Sequence, residues 1–192
     1  AQVRGMKYGD EIRGVMSELD QMPGKIQEVL DEIEPVYELA RVMAKEEEAV
    51  FFLGRHVGYP VALEGALKLK EIAYMHAEGF AAGELKHGPI ALIDEHMPVV
   101  VIAPYDKVFE KTVSNMQEVA ARGGKIILMT DAKGAAEATI QSLVTIVMPD
   151  MGATFAPMVY AVPVQLLAYH TAVVMGTDVD QPRNLAKSVT VE

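Results

Sequence analysis

Apolar and polar positions follow two rhythms along this chain. From residue 49 onward, short continuous apolar runs alternate with longer stretches of helical period. The runs are AVFFLG at 49–54, PVVVIA at 98–103, KIILMT at 125–130 and LVTIVM at 143–148. They are β-branched and apolar throughout, which predicts strands buried on both faces, as in a parallel sheet. Helix patterns fill the gaps at 60–76, 107–122 and 133–141, and a last one fits 157–175. Gly123-Gly124 marks the join of a helix and a strand, as a helix C-cap does. The alternation predicts an α/β fold, a three-layer αβα open parallel sheet. Ligands of such sheets sit beyond the carboxyl ends of the strands. Here those loops start at Leu53-Gly54-Arg55-His56, at Ala103-Pro104 and at Thr130-Asp131. Pro163 falls inside the last helix pattern, where it costs about 3 kcal/mol in a free helix interior. It predicts a kink, or a helix start close by.

Before residue 49 the rhythm is helical only. Three helix patterns fit, broken near Met22-Pro23-Gly24 and around Pro35. Ile26, Val29, Leu30 and Ile33 give the second its apolar stripe; Val36, Leu39 and Val42/Met43 give the third. Pro23 suits the first turn of the second helix, and Lys45-Glu46-Glu47-Glu48 reads as a solvated helix end. The organisation expected is a helical linker with the end of a preceding unit over 1–48, an α/β domain over 49–175, and a tail over 176–192. The tail is polar, contains Pro182 and has no helical period. It reads either as a frayed terminus or as a segment that folds over a pocket.

Charge and composition narrow the function. The 192 residues carry a net charge of −10, which argues against nucleic acid, whose phosphates need clustered Lys and Arg. Residues 1–48 hold twelve acidic against six basic side chains, a net of −6. No run of eighteen or more apolar residues predicts a membrane span, and AQVRGMKYGDEI lacks the apolar core of a signal peptide. The absence of cysteine removes disulfides and thiolate chemistry and fits a reducing, cytoplasmic setting.

No GxGxxG or Walker pattern follows the first strand, no GxSxG elbow occurs, and His56, His76, His87, His96 and His170 show no HxxxH or HExxH spacing. No cofactor or metal is expected. His170 reads as a packed or exposed bystander. Glu64, Lys68 and Glu71 stand at i, i+4 and i+7 of an otherwise apolar helix, on one stripe. Two readings of that stripe are open: a solvated face with Glu64–Lys68 as an ordinary pair, or the lining of a pocket. A carboxylate, a histidine and lysines suffice for proton transfer next to a carbonyl or imine. Any domain of this size contains them.

Longer motifs say more. LGRHVGYPVALEGALKLKEIAYMHAEGFAAGELKHGPIALID (53–94) and GTDVDQPRNLAKSVTVE (176–192) resemble glutamine:fructose-6-phosphate aminotransferase (isomerising), also called glucosamine-6-phosphate synthase. With the elements between, the resemblance covers roughly 49–192, and the lead-in helices resemble that family's inter-subdomain linker. It implies an SIS-type, flavodoxin-like subdomain with a helical lead-in and an irregular tail. It implies an enzyme in which a Cys-dependent glutaminase supplies ammonia to fructose 6-phosphate. An isomerase of two SIS subdomains then turns the imine into glucosamine 6-phosphate. This chain would be the second subdomain. By motif, Glu71 would shuttle the proton between carbons 1 and 2, and Lys68 would line the sugar site. His87 would assist ring opening, reaching the neighbouring subunit's site. Lys187 would serve the isomerase step through ring opening or a Schiff base. Arg183 and Ala186 would belong to the tail that covers the sugar. Glu64, Glu78, Glu84 and Lys86 are taken as structural.

The family's Ser/Thr-rich phosphate loop has no counterpart here, so the chain is expected to be half an active site and inactive alone. Its partners would be a sugar phosphate together with the first SIS subdomain, in a homodimer. Two other readings stand beside this one: a stand-alone sugar-phosphate-binding regulatory module, which a Ser/Thr phosphate loop would mark, and a structural dimerisation unit.

Overall fold

The computed structural model describes residues 4–5, 7–46 and 49–185. Two helices come first, α1 (Gly9–Asp31) and α2 (Glu34–Glu46). Then β1 (Ala49–Gly54), α3 (Gly58–Lys68), a π-helical turn (Leu69–Ala73) and β2 (His76–Ala81) come in succession. Two 3-10 turns (Ala82–His87 and Pro89–Leu92) lead to β3 (Pro98–Ile102). The chain continues through α4 (Phe109–Ala120), β4 (Lys125–Asp131), α5 (Ala132–Glu137), β5 (Val144–Met148) and α6 (Ala156–Met175). All five strands are parallel, in the order β2-β1-β3-β4-β5. This is the doubly wound arrangement expected from the alternation.

The apolar runs explain the layers. Successive side chains of a strand point to opposite faces. Val50 and Phe52 of β1, Val100 and Ile102 of β3, and Ile127 and Met129 of β4 join one core with α1, α2, α3 and α6. Phe51 and Leu53, Val99 and Val101, and Ile126 and Leu128 join the other, with α4 and the first 3-10 turn. Each large side chain buried this way contributes about 1.5–3 kcal/mol. Gly123 closes α4 with φ +84°, a left-handed conformation that suits glycine.

Several expectations need correction. The break at Met22-Pro23-Gly24 does not occur: α1 runs through Pro23, so the lead-in has two helices and not three. The carbonyl that Pro23 leaves without a donor belongs to Leu19, on an exposed turn where water can serve it, while Met22 and Val29 bury against the core. Likewise α6 begins at Ala156 and continues past Pro163, so Pro163 does not start it. The helix expected over 60–76 stops early, and 76–81 is a strand, β2, at the sheet edge. β5 is not buried on both faces: Ile146 and Met148 face inward, while Val147 is 53% exposed. It lies at the other edge, where α5, only six residues long, covers little.

α6 is long and apolar enough to cross a membrane, yet it packs between α2 and α3 against the sheet, as a core helix does. His170 packs edge-on against Tyr37 at 5.3 Å and Tyr169 at 5.2 Å.

Candidate active site

Glu71 sits where a helix changes type. α3 leaves the carboxyl end of β1 and runs back along the sheet, and its last residues open into the π-helical turn before β2 begins. The candidate cleft is therefore at the amino-terminal end of the sheet, opposite to the end that a doubly wound sheet predicts. It measures about 460 Å³ and is lined by Lys70, Glu71, Tyr74, Met75, His76, Arg183, Asn184 and Leu185. The Lys68 ammonium donates to Glu71 Oε2 at 2.6 Å, and the Glu71 side chain keeps 28% of its surface exposed. The second Glu71 oxygen has no partner among the described residues. The hydrogen bond to Glu71 raises the Lys68 pKa above its ordinary value; burial opposes this, and the charges of Glu71 and Glu64 reinforce it. Lys68 thus stays cationic beside the carboxylate.

The stripe read from spacing is only partly formed. The Glu64–Lys68 pair is not made. Glu64 instead accepts from Gln165 Nε2 at 3.0 Å, while Lys68 turns to the carboxylate three residues ahead.

The tail reaches the same place. α6 runs antiparallel to the strands and ends at Gly176, next to the π-turn. The Thr177 hydroxyl donates to the Ile72 carbonyl at 2.6 Å. The Arg183 amide donates to the Tyr74 hydroxyl at 2.8 Å, and the Arg183 guanidinium lies 4.2 Å from the centre of the Tyr74 ring. Arg183 and Glu71 thus line one cleft. Ala186 and Lys187 lie outside the described residues; Leu185, two positions before Lys187, lines the cleft. His87 is not brought to Glu71. It comes after Leu85, which belongs to the core on the α4 side, whereas Leu69 and Ala73 belong to the α6 side. Its Nδ1 lies 2.8 Å from Glu84 Oε2 and its side chain is 61% exposed. Sequence reasoning missed Tyr74 and Thr177, since neither type at its position carries a local signal.

The loops named at the carboxyl ends are occupied by their own contacts. Arg55 Nε and Nη2 donate to Asn115 Oδ1 at 3.0 and 2.9 Å. His56 Nδ1 lies 3.2 Å from Asp106 Oδ2, and Asp106 Oδ1 accepts from the Val108 amide. Asp131 accepts from the Tyr105 and Gly134 amides at 2.6 and 2.9 Å. A Cβ on Gly54 would fall 2.2 Å from the Gly58 carbonyl oxygen, so the β1–α3 turn is folded onto itself. Among the described residues no group of His, Asp and Glu is placed to hold a metal ion.

Comparison with known proteins fits this picture. The chain is 71% identical over 189 residues to a glutamine-fructose-6-phosphate aminotransferase (isomerizing) of Bradyrhizobium diazoefficiens, covering 98% of this chain and 31% of that protein. A protein of the same name from Rhizobium meliloti is 62% identical over 190 residues, with the same coverage. The chain thus spans about a third of the length of these curated relatives. Among solved structures, the C-terminal domain of glucosamine-fructose-6-phosphate aminotransferase from Francisella tularensis superposes with a TM-score of 0.90 at 39% identity, over 94% of this chain and 50% of that one. Residues 43–175 match the SIS domain, and the chain belongs to that family.

Proposed function

We propose that this chain is the second SIS half of the isomerase of a cytoplasmic glutamine-fructose-6-phosphate aminotransferase. The observation that carries the reading is the Glu71 carboxylate. It is held by Lys68 at 2.6 Å, half-buried, with one oxygen free toward a cleft that the carboxy-terminal tail enters. The relatives' name supplies the substrates: fructose 6-phosphate and the nitrogen of glutamine. Ammonia condenses with the ketose at carbon 2 with loss of water. Glu71 then takes a proton from carbon 1 of that imine and returns it to carbon 2, while the proton of the carbon-1 hydroxyl passes to the nitrogen, which gives the amino aldose with no net change in atoms. The ammonium of Lys68 holds the carboxylate in one rotamer, so that its free oxygen faces the carbon.

The cleft is open on one side, and among the described residues its lining offers no cluster of hydroxyls to grip a phosphate. The reading therefore includes a partner domain that supplies one. The outer face of α3 and α6 supports it: Leu63, Leu67, Tyr169 and Val173 are each more than 40% exposed on neighbouring helices. Exposed apolar patches of this kind suit a packed partner. His87, on the other face of the sheet, would serve the site of a second copy, which makes the working unit a homodimer. Lys187 and Ala186 take their places in the reading through the tail motif.

Glu71→Gln in the complete polypeptide tests it. Formation of glucosamine 6-phosphate should fall by about 10²–10⁴-fold, the usual contribution of a positioned base, while glutamine hydrolysis continues. Near-normal synthesis would remove Glu71 from the role. The 192-residue chain alone, given fructose 6-phosphate and ammonia, should form no product.

A further inference from the structure

We infer that Tyr74 is a positioning residue that straps the carboxy-terminal tail across the Glu71 cleft; this rests on the reading of Glu71 as the base. Tyr74 comes directly after the π-turn and adopts φ +58°. A bulky side chain is uncommon in that left-handed conformation, which glycine takes freely. Such residues persist where their surroundings hold them, and they gather at ligand sites. The side chain must therefore do something glycine would not.

Its two contacts say what. The phenol oxygen accepts the Arg183 amide at 2.8 Å, and the face of the ring receives the Arg183 guanidinium at 4.2 Å. Both contacts reach the same tail residue, 109 positions along the chain. A second foot stands one turn away, where the Thr177 hydroxyl donates to the Ile72 carbonyl inside the π-turn. Between the feet the tail folds on itself: Asp178 Oδ1 accepts the Asp180 and Gln181 amides at 2.9 and 3.0 Å. Residues 177–183 thus form a closed strap with both ends on the short segment that carries Glu71. Arg183, Asn184 and Leu185 enter the cleft as its continuation. The Arg183 charge is directed at Tyr74, so its part in this arrangement is to fasten the tail. A π-turn is well suited to the purpose. Its last carbonyls have no later helical amide to pair with, and the Ile72 carbonyl is the one the strap uses.

Nuclear magnetic resonance on the chain itself tests the strap without substrate. The Arg183 amide should exchange slowly, and the Arg183 δ-methylene protons should be shifted upfield by the Tyr74 ring. Tyr74→Gly fits the left-handed backbone and so keeps the fold. It should abolish both signs and raise the Arg183 exchange rate at least tenfold. Tyr74→Phe should keep the ring shift and lose only the amide protection. In the complete polypeptide, Tyr74→Gly should lower kcat for the sugar step at least tenfold with glutamine hydrolysis unchanged. Tyr74→Phe should recover to within about threefold of the parent, because stacking still holds the tail. A folded Tyr74→Gly chain that keeps Arg183 protected would overturn the proposal. So would one that frees Arg183 yet turns over sugar normally. Failure of the base assignment looks different: Glu71→Gln would stay active while the Arg183 signals remained as described.

Discussion

At the carboxyl ends of the strands, Arg55, His56, Asp106 and Asp131 each find partners in the adjoining loops and helices. At the amino end, Glu71 and Lys68 hold one another beside an open cleft, and no other described residue claims the second carboxylate oxygen. The two ends contain similar side chains. What separates them is spare capacity. A polar group whose hydrogen bonds are all made inside the protein stabilises a loop, and a ligand has to break those bonds to use it. A space of about 470 Å³ does open at the carboxyl end, beside Tyr105, Asp106, Lys107, Phe109 and Glu110. There, however, Lys133 already covers the Tyr105 ring at 4.2 Å and both Asp106 oxygens are taken. By the state of its polar groups the amino-end cleft is the stronger candidate, although position in a doubly wound sheet favours the other end.

The contrast can be broken most directly by stability measurements. Asp131→Ala removes the acceptor of two backbone amides from a position only 9% exposed. It should cost about 2–4 kcal/mol, read as a lower urea midpoint with unchanged slope. Glu71→Gln should change stability by less than about 1 kcal/mol, since the Lys68 pair is partly solvated. An equal loss at both positions would erase the distinction.

Tyr160 sharpens the comparison. Its ring is buried behind the carboxyl-end loops, and its hydroxyl lies near the Asp131 main chain with no hydrogen-bond partner among the described residues. Burial, then the charges of Asp131, Asp150 and Asp106, hold this phenol protonated well above the ordinary tyrosine range. The unfolded chain ionises its tyrosines near pH ~10. Above that, the unfolded state releases a proton that the folded state keeps, so stability falls as pH rises past about 10. Tyr160→Phe should be within about 1 kcal/mol of neutral at pH 7 and should shift alkaline unfolding upward. The smallest effect belongs to His56→Gln. This partly exposed pair with Asp106 is worth less than about 1 kcal/mol, and 1 M salt should shrink the difference further.

Much of the fold was legible because four strands are continuous apolar runs, and a side chain buried on either face has to be apolar. β2 was not. HAEGFA has no β-branched residue, sits at an edge and is only half covered, so neither propensity nor periodicity marks it. It also comes after a helix with no Gly or Pro between, because Tyr74 makes the turn in a conformation its type does not advertise. The cleft at the amino end of the sheet escaped the sequence reading for a related reason. The helix pattern over 60–76 concealed both the strand and the fact that Glu71 stands at the bottom of a crossover. Resemblance pointed to Glu71 and Arg183, which line the same cleft. It could not supply the strap, whose hydrogen bonds join residues 105 and 109 positions apart.

The five residues from Leu69 to Ala73 wind one residue wider than an α-helix would. Loss of a single codon from this stretch would leave an ordinary helix of nearly the same stability. It would also swing Glu71 by about 100°, the angle one helical residue subtends, relative to α3 if the loss preceded it and relative to β2 if the loss followed it. Gene lineages carrying this domain are therefore expected to exchange letters in this interval more readily than to shorten it.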